Sequence, residues 1–474
     1  MWLPRAAPAC FACLLLSAPV VAGAVDPPGL EADFAAVCQT AFARAQRTYQ
    51  APVAVALPAF DLPPTGEQDA LGMVYQESLK ITARHALYDD HTLWLRPRPR
   101  GGVERDPLDL WYTPRLGQPY RNAPYRVGDF DYSSPAIVPP LPAVIPEAAR
   151  VLTAVDLGRR LGASKLWPQV MYIGANGYLR ATGLTALFGS SLRLTAYNVG
   201  GEEVKPRLTK LYAKALAEAR VAFFGVLESE PFTACVQAVA TPGFSSRIET
   251  RLKLYPRPSS KLPANARVSP LAISSMFWKG AESTPADPTD QAHDADHLLV
   301  CGQGAAALGG AVPATPADPD QFLRFGPASC FGLMQLDRLP AHYARYADAK
   351  YARRVNYWVD DLQSDEPFSV DLYAHGTTYE GEDNLVAFVE LQNPLPPALN
   401  AADGTSVRYS LTANLTPPPV RGPGLAFGES AAGDRIGAVV AVAGDTLAVG
   451  APGIEGRGVV YRPGLVHLFR HYAG

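Results

Sequence analysis

Asp294 and Asp383 are the carboxylates best placed to do chemistry in this sequence. Asp294 lies in the loop His293-Asp294-Ala295-Asp296-His297, and Asp383 in the turn Gly381-Glu382-Asp383-Asn384. That turn runs directly into the apolar stretch LVAFVEL at 385–391, where an acid at a strand end can project into a cleft. Cleaving a glycosidic bond needs one acid to protonate the leaving oxygen and one base to activate water. Two carboxylates beside aromatic rings on a strand-rich scaffold therefore suit carbohydrate chemistry. Asp-rich turns also arise for local reasons, because Asp bonds its own backbone two residues on. His293 and His297 with Asp294 are metal-ligand types, but one tight cluster without a remote fourth ligand falls short of a metal site. We expect neither a metal nor another cofactor. Glu380 and Glu382 read as solvated turn charges.

Sugar subsites are built from rings that stack on the apolar faces of pyranoses and from guanidinium forks that bond hydroxyls. The candidates for substrate contact are Tyr178 and Arg180 in the Gly-rich segment GANGYLR, Trp278 after the stretch PLAISSMF, Asp296, Arg354, and Trp358 just beyond the Arg353-Arg354 pair. The competing reading for each ring is an ordinary core position.

The elements that must position these residues read mainly as strands. Ile248, Thr250, Leu252 and Leu254 alternate with Arg247, Glu249, Arg251 and Lys253, the period of a half-buried strand. The 45 prolines and 40 glycines break the chain into short runs, which favours an all-β architecture. Residues 29–46 and 208–220 have helical spacing and good helix formers, so two helices are expected there. Residues 304–320 read as a low-complexity surface loop and 417–424 as a Pro/Gly linker. The first 24 residues have the pattern of a secretory signal: Arg5, an apolar run from Phe11 to Val21, and Ala22-Gly23-Ala24 before a cleavage point. No later apolar run is longer, so the cleaved product is not expected to span a membrane. With a net charge of −3, nothing points to nucleic acid. Cys10 and Cys13 would leave with the signal; Cys38, Cys235, Cys301 and Cys330 would remain. Four cysteines allow three pairings, and Cys301 with Cys330, which flank one loop-like stretch, is the first to expect. Buried free thiols are the other reading.

Several motifs together resemble the glucans biosynthesis protein G and D family. They are LYPR at 254–257, PLAISSMFWKGAE at 270–282 and HDADH at 293–297, with QRTYQAP at 46–52, the stretch 174–203, FGLMQLDR onward at 331–358, and DNLVAF at 383–388. The resemblance covers residues 38–415 in order. It implies a large two-sheet β-sandwich of the galactose-mutarotase-like supersandwich type over 25–416. It also implies a periplasmic protein acting on β-glucan, β-1,2-linked in the first instance, by cleavage or transglycosylation, with the inner-membrane glucan synthase machinery as a partner. By the same resemblance Asp383 is the general acid, Asp294 sits on the base side, and Tyr351 relays a proton. The chain departs from the family pattern at His297, where Gly is usual, and in lacking Trp between 278 and 358. These departures keep open a non-catalytic role as a glucan-binding scaffold. In place of the family's immunoglobulin-like domain, residues 425–474 resemble one FG-GAP repeat, with Phe427-Gly428 and Gly450-Ala451-Pro452 in register and no calcium-ligand spacing. One such blade cannot bury both faces. A short β appendage is therefore expected, and an adhesion role is poorly supported.

The signal pattern predicts cleavage after Ala24. N-terminal sequencing of the exported protein should begin at Val25, and a mature chain that keeps Arg5 would refute the assignment.

Overall fold

The computed structural model describes residues 29–53, 80–90, 92–99, 106–133, 151–160, 169–184, 186, 191–198, 203–258, 266–275, 295, 297–302, 308–310, 321–335, 351–374, 385–392, 404–415, 439–443, 446–451 and 465–470. Two 11-stranded sheets carry most of them. Sheet I runs in spatial order Gln321–Arg324, Phe368–Ala374, Leu385–Leu391, Ala266–Ser275, Ser191–Asn198, Leu179–Ala181, Gln169–Gly174, Ala154–Arg159, Leu93–Pro97 and Tyr88–Asp89, with Glu203–Val204 added beside Ser191–Asn198. Sheet II runs Leu308–Gly310, His297–Gly302, Ala328–Met334, Asn356–Ser364, Thr405–Asn414, Ser246–Pro256, Phe232–Thr241, Arg220–Glu228, Arg207–Leu216, Asp109–Tyr112 and Arg121–Asn122. Neighbours pair antiparallel, except that Asp109–Tyr112 lies parallel to Arg207–Leu216.

The fold is a sandwich because both sheets feed one apolar cluster. Val370, Leu372, Val389 and Ile273 of sheet I pack in it with Ile248, Leu252, Val407 and Leu411 of sheet II. Alternation along each strand supplies this shared face, as the period at 247–254 predicts. The expectation of a mainly β chain with a large two-sheet sandwich is met. Residues 439–443, 446–451 and 465–470 form a further three-stranded antiparallel sheet. Gly450 and Ala451 end its middle strand, while Phe427, Gly428, Pro452 and the 417–424 stretch lie outside the described residues, as do residues 1–24. Within 304–320, expected as loop, residues 308–310 pair as a short strand with Leu298–Val300.

The first predicted helix is present and the second is not. Leu30–Ala45 is helical and buries Leu30, Phe34, Val37, Cys38, Ala41 and Ala45 against the outer face of sheet II, on Phe224, Val226, Cys235 and Tyr255. Glu31 and Asp33 in its first turn complement the positive end of the helix. Asp33 also accepts from Lys214 at 2.6 Å. The helix expected at 208–220 is instead the hairpin of Arg207–Leu216 and Arg220–Glu228, turning through Glu218 and Ala219 at φ 59° and 54°. Leu, Lys and Ala favour a helix in isolation, but Arg220–Glu228 on one side and Asp109–Tyr112 on the other offer ladder partners, and tertiary pairing outweighs a few tenths of a kcal/mol per residue. Leu211, Ala213 and Ala215 face the core, with Tyr212 and Lys214 between them.

Among the described residues two cystines close the chain. Cys301–Cys330, the expected pair, joins residues directly opposite on neighbouring strands. Cys38–Cys235 ties the helix to sheet II across a sequence separation of 197. Among the described residues no helix is long and apolar enough to cross a membrane.

In the loop-entropy view a longer closed loop stabilises more. Replacing Cys38 and Cys235 together with Ala should cost roughly 5 kcal/mol, and the same change at Cys301 and Cys330 less, about 3.5 kcal/mol. Calorimetry of the two double variants tests the order, and a larger loss from the second pair would contradict it.

Candidate functional site

The face of sheet I turned away from the shared core carries a band of polar and aromatic side chains. Strand register arranges them in two rows. In one, Arg96 lies opposite Asp156, Asp156 opposite Tyr172, and Tyr172 opposite Arg180. In the other, Arg193 lies opposite Ala272, Ala272 opposite Phe388, Phe388 opposite Asp371, and Asp371 opposite Arg324.

The first row is a stack of rings and guanidinium groups. The Arg98 guanidinium stands 5.1 Å from the Tyr172 ring, Tyr172 meets Tyr178 edge-on at 5.7 Å, and Arg180 stands 5.6 Å from Tyr178. Arg96 covers Trp94 at 4.7 Å. Trp94 can lie flat only because residue 158 is Gly, since a Cβ there would sit 2.1 Å from the ring. Tyr178 is set by a tight turn: the Gly174 amide donates to the Tyr178 carbonyl at 2.8 Å, and the Tyr178 amide donates to Asn176 Oδ1 at 3.1 Å. Gly177 takes φ +78° under the Pro206 carbonyl, a place no side chain fits. Asp156 is fixed by Arg98 Nε at 2.9 Å and by Gln169 Nε2 at 2.5 Å. Burial still holds its pKa above the ordinary carboxylate value, against the pull of Arg98.

Arg193 and Asp371 in the second row are nearly sealed, while Arg324 at its end is exposed. Arg193 donates through Nε to Glu203 at 2.5 Å and through Nη1 to Ser274 Oγ at 2.5 Å, and Thr195 Oγ1 donates to Glu203 at 2.8 Å. Burial works to raise the Glu203 pKa, but Arg193 outweighs it and the net shift is downward. Asp371 is 0% exposed. It accepts from Ser369 Oγ at 2.9 Å, and Arg324 Nε stands 3.4 Å from its other oxygen. Glu390 takes Arg267 and, at 2.8 Å, Arg324. Burial first, and then a hydrogen bond shared with Glu390, raise Asp371 to about 7. The two guanidinium groups hold Glu390 ionised and below its usual value despite its burial. One carboxyl that keeps its proton toward neutrality thus sits beside one that does not. Sequence reading passed over both residues; the signal was an acid inside an otherwise apolar strand, in FSVDLYA and in VAFVEL.

Of the predicted site residues, Asp294, Asp296, Asp383 and Trp278 lie outside the described residues. Tyr351 opens a one-turn 3-10 helix, Tyr351–Arg353. Arg354 is buried next to it, and Trp358 is buried with Leu299, Met334 and the Cys301–Cys330 pair. Tyr178 and Arg180 stand together in the stacked row.

The strands that bracket these positions end together. Ser275, which closes the strand leading toward Trp278 and Asp294, pairs with Leu385, which opens the strand following Asp383. In sheet II, His297 pairs with Met334, and the next amide, Gln335, donates to Asn356 Oδ1 at 2.8 Å, just beyond Tyr351–Arg354. Tyr357 Oη donates to the Ala181 carbonyl at 2.6 Å and joins the two sheets at this end, one residue from Arg180.

A family model described as "Periplasmic glucan biosynthesis protein, MdoG" matches residues 33–443. A glucans biosynthesis protein G from Vibrio cholerae is 29% identical over 204 residues, covering 42% of this chain and 34% of the relative. A probable glucans biosynthesis protein D from Shewanella oneidensis is 27% identical over 238 residues, covering 48% and 42% respectively. A glucans biosynthesis protein G 2 from the same organism is 26% identical over 260 residues, covering 52% and 46%. The matched stretches span less than half the length of each of these relatives.

The Asp371–Glu390 pair makes stability pH-dependent with a definite sign. Asp371 has a folded pKa above its unfolded value, so its contribution is complete below the ordinary carboxylate range and is lost as pH rises through about 7. Glu390, shifted down, contributes above that range and loses it on acidification. Wild-type Tm should therefore fall between about pH 4.5 and about pH 7.5 and level off above, and Asp371→Asn, which mimics the protonated acid, should flatten that fall. A variant that declines as steeply as wild type would refute the assignment.

Proposed function

Because the chain belongs to the family of the periplasmic glucan biosynthesis protein MdoG, we propose that it works in the periplasm on a β-glucan backbone, β-1,2-linked in the first instance, by glycosidic cleavage or transfer. Asp383 is the general acid in this reading, Asp294 belongs to the base side, and Tyr351 relays a proton between base and water. Tyr178, Arg180, Trp278, Asp296, Arg354 and Trp358 contact sugar, and the inner-membrane glucan synthase machinery is the partner that delivers or receives the chain.

The observation that carries the proposal is the pairing of Ser275 with Leu385. Two sequence segments about a hundred residues apart, each holding one of the acids, leave and enter neighbouring strands at one sheet end. Two-carboxylate chemistry needs such convergence, because acid and base act on opposite sides of one bond. The stack of Tyr172, Tyr178, Arg98 and Arg180 supports a sugar-facing surface at the same sheet, since rings and guanidinium forks are what pyranoses bind. A general acid must also hold its proton near neutral pH, which burial or a neighbouring carboxylate can arrange.

A second reading keeps glucan binding and drops the chemistry. The absence of Trp between residues 278 and 358 favours it, because the resembled family is Trp-rich after the His-Asp loop.

Incubation with linear β-1,2-glucan followed by product analysis separates the two. Asp383→Asn should lose about 10²–10⁴-fold in rate with little change in glucan affinity, as expected for removal of a general acid of equal size. Asp294→Asn should be severely impaired as well. Wild type that binds glucan and never cleaves or transfers it establishes the scaffold. An active wild type whose Asp383→Asn variant keeps more than about a tenth of the rate places the acid elsewhere.

A further inference from the structure

A cavity of about 110 Å³ lies between the two sheets, near the turn that carries Tyr178. Leu194 of sheet I and Phe223, Val236, Thr250 and Tyr409 of sheet II line it together with Tyr178. Its wall is mainly apolar; Arg193, Tyr178 and the pair Thr250 and Tyr409, which stand opposite each other in register and hydrogen-bond to one another, supply its polar groups. The core-facing residues around it are incompletely covered. Leu179, Val236, Ala238 and Tyr409 are only partly buried, while Ala234 and Leu254 in the same strands as the wall are 0% exposed.

Interiors pack as densely as organic crystals, and voids much larger than a water are few. This one persists where small residues face it. Ala238 presents a single methyl to it. Water is a poor occupant of its apolar part, since it needs two to four polar partners. A sugar is worse, because each buried hydroxyl without a partner is costly. A cavity of similar size, lined by Leu, Ile and Phe in another protein, stays dry and takes up benzene or xenon.

We propose that this chamber is a binding site for a small apolar group, alkyl or aryl, of about six carbon atoms. It borders the polar face of sheet I through Tyr178 and Arg193, and it needs neither Asp294 nor Asp383.

Fluorobenzene tests it directly. Titrated into wild-type protein, it should show one saturable site by ¹⁹F NMR and raise Tm as ligand increases. Ala238→Leu fills the chamber from sheet II and should weaken that binding at least tenfold, about 1.4 kcal/mol. Val236→Leu, a smaller change on the same wall, should weaken it less and guards against a variant that fails to fold. Glucan binding by both variants should match wild type, so failure here is distinct from failure of the glucan reading. No saturable site in wild type, or full-strength binding in a folded Ala238→Leu, overturns the proposal.

Discussion

Successive side chains on a strand point to opposite faces, and in this protein that period of two separates packing from chemistry. Sheet I has one face committed to the shared core through Val370, Leu372, Val389 and Ile273. Asp371, Ser369, Glu390 and Arg267, which alternate with core residues on those strands, are thereby sent to the other face, where residues from distant parts of the chain meet in rows. Asp371, Glu390 and Arg193 are sealed there, yet each has an ionic or hydrogen-bonding partner in the next strand or two. A slip of one residue in register would exchange the two faces and bury these charges in apolar surroundings. The core therefore fixes the arrangement of the site as firmly as the site residues do.

Electrostatics on that face follows from the small number of partners. Two guanidinium groups, from Arg267 and Arg324, converge on Glu390, while Asp371 has the more distant share of Arg324 and a neutral Ser369. Two buried like charges cannot both persist cheaply, so the proton settles on the carboxyl with the weaker cation. Across the sheet, Asp156 keeps Arg98 and Gln169 and stands opposite Tyr172, which meets Tyr178 edge-on.

Local signals in the sequence carried much of the fold. The helix Leu30–Ala45, the strand Ser246–Pro256 and the Cys301–Cys330 pair were all legible, because spacing of a few residues defines each of them or points to it. The hairpin Arg207–Glu228 was not, because its Leu, Lys and Ala content suits a helix and only the long strands beside it decide otherwise. Nor were the rows of the outer face. Arg96, Asp156, Tyr172 and Arg180 are spread over more than eighty residues, and no one-dimensional pattern states that they share a line. Tyr178 and Arg180 could be picked from GANGYLR because a glycine-cornered turn advertises a fixed side chain. Asp371 and Glu390 stand inside apolar strands, and only register sets one opposite Phe388 and the other, one step along, opposite Ser369.

The order of the cystines bears on how the chain can mature. Of the four cysteines in the described residues, the bridges join first to second and third to fourth, Cys38 to Cys235 and Cys301 to Cys330. A polypeptide threaded amino end first into an oxidising compartment presents each thiol's native mate as the next to arrive. An oxidant that couples thiols in order of emergence would make the correct pairs at once, and a disulfide-reshuffling enzyme would have nothing to repair.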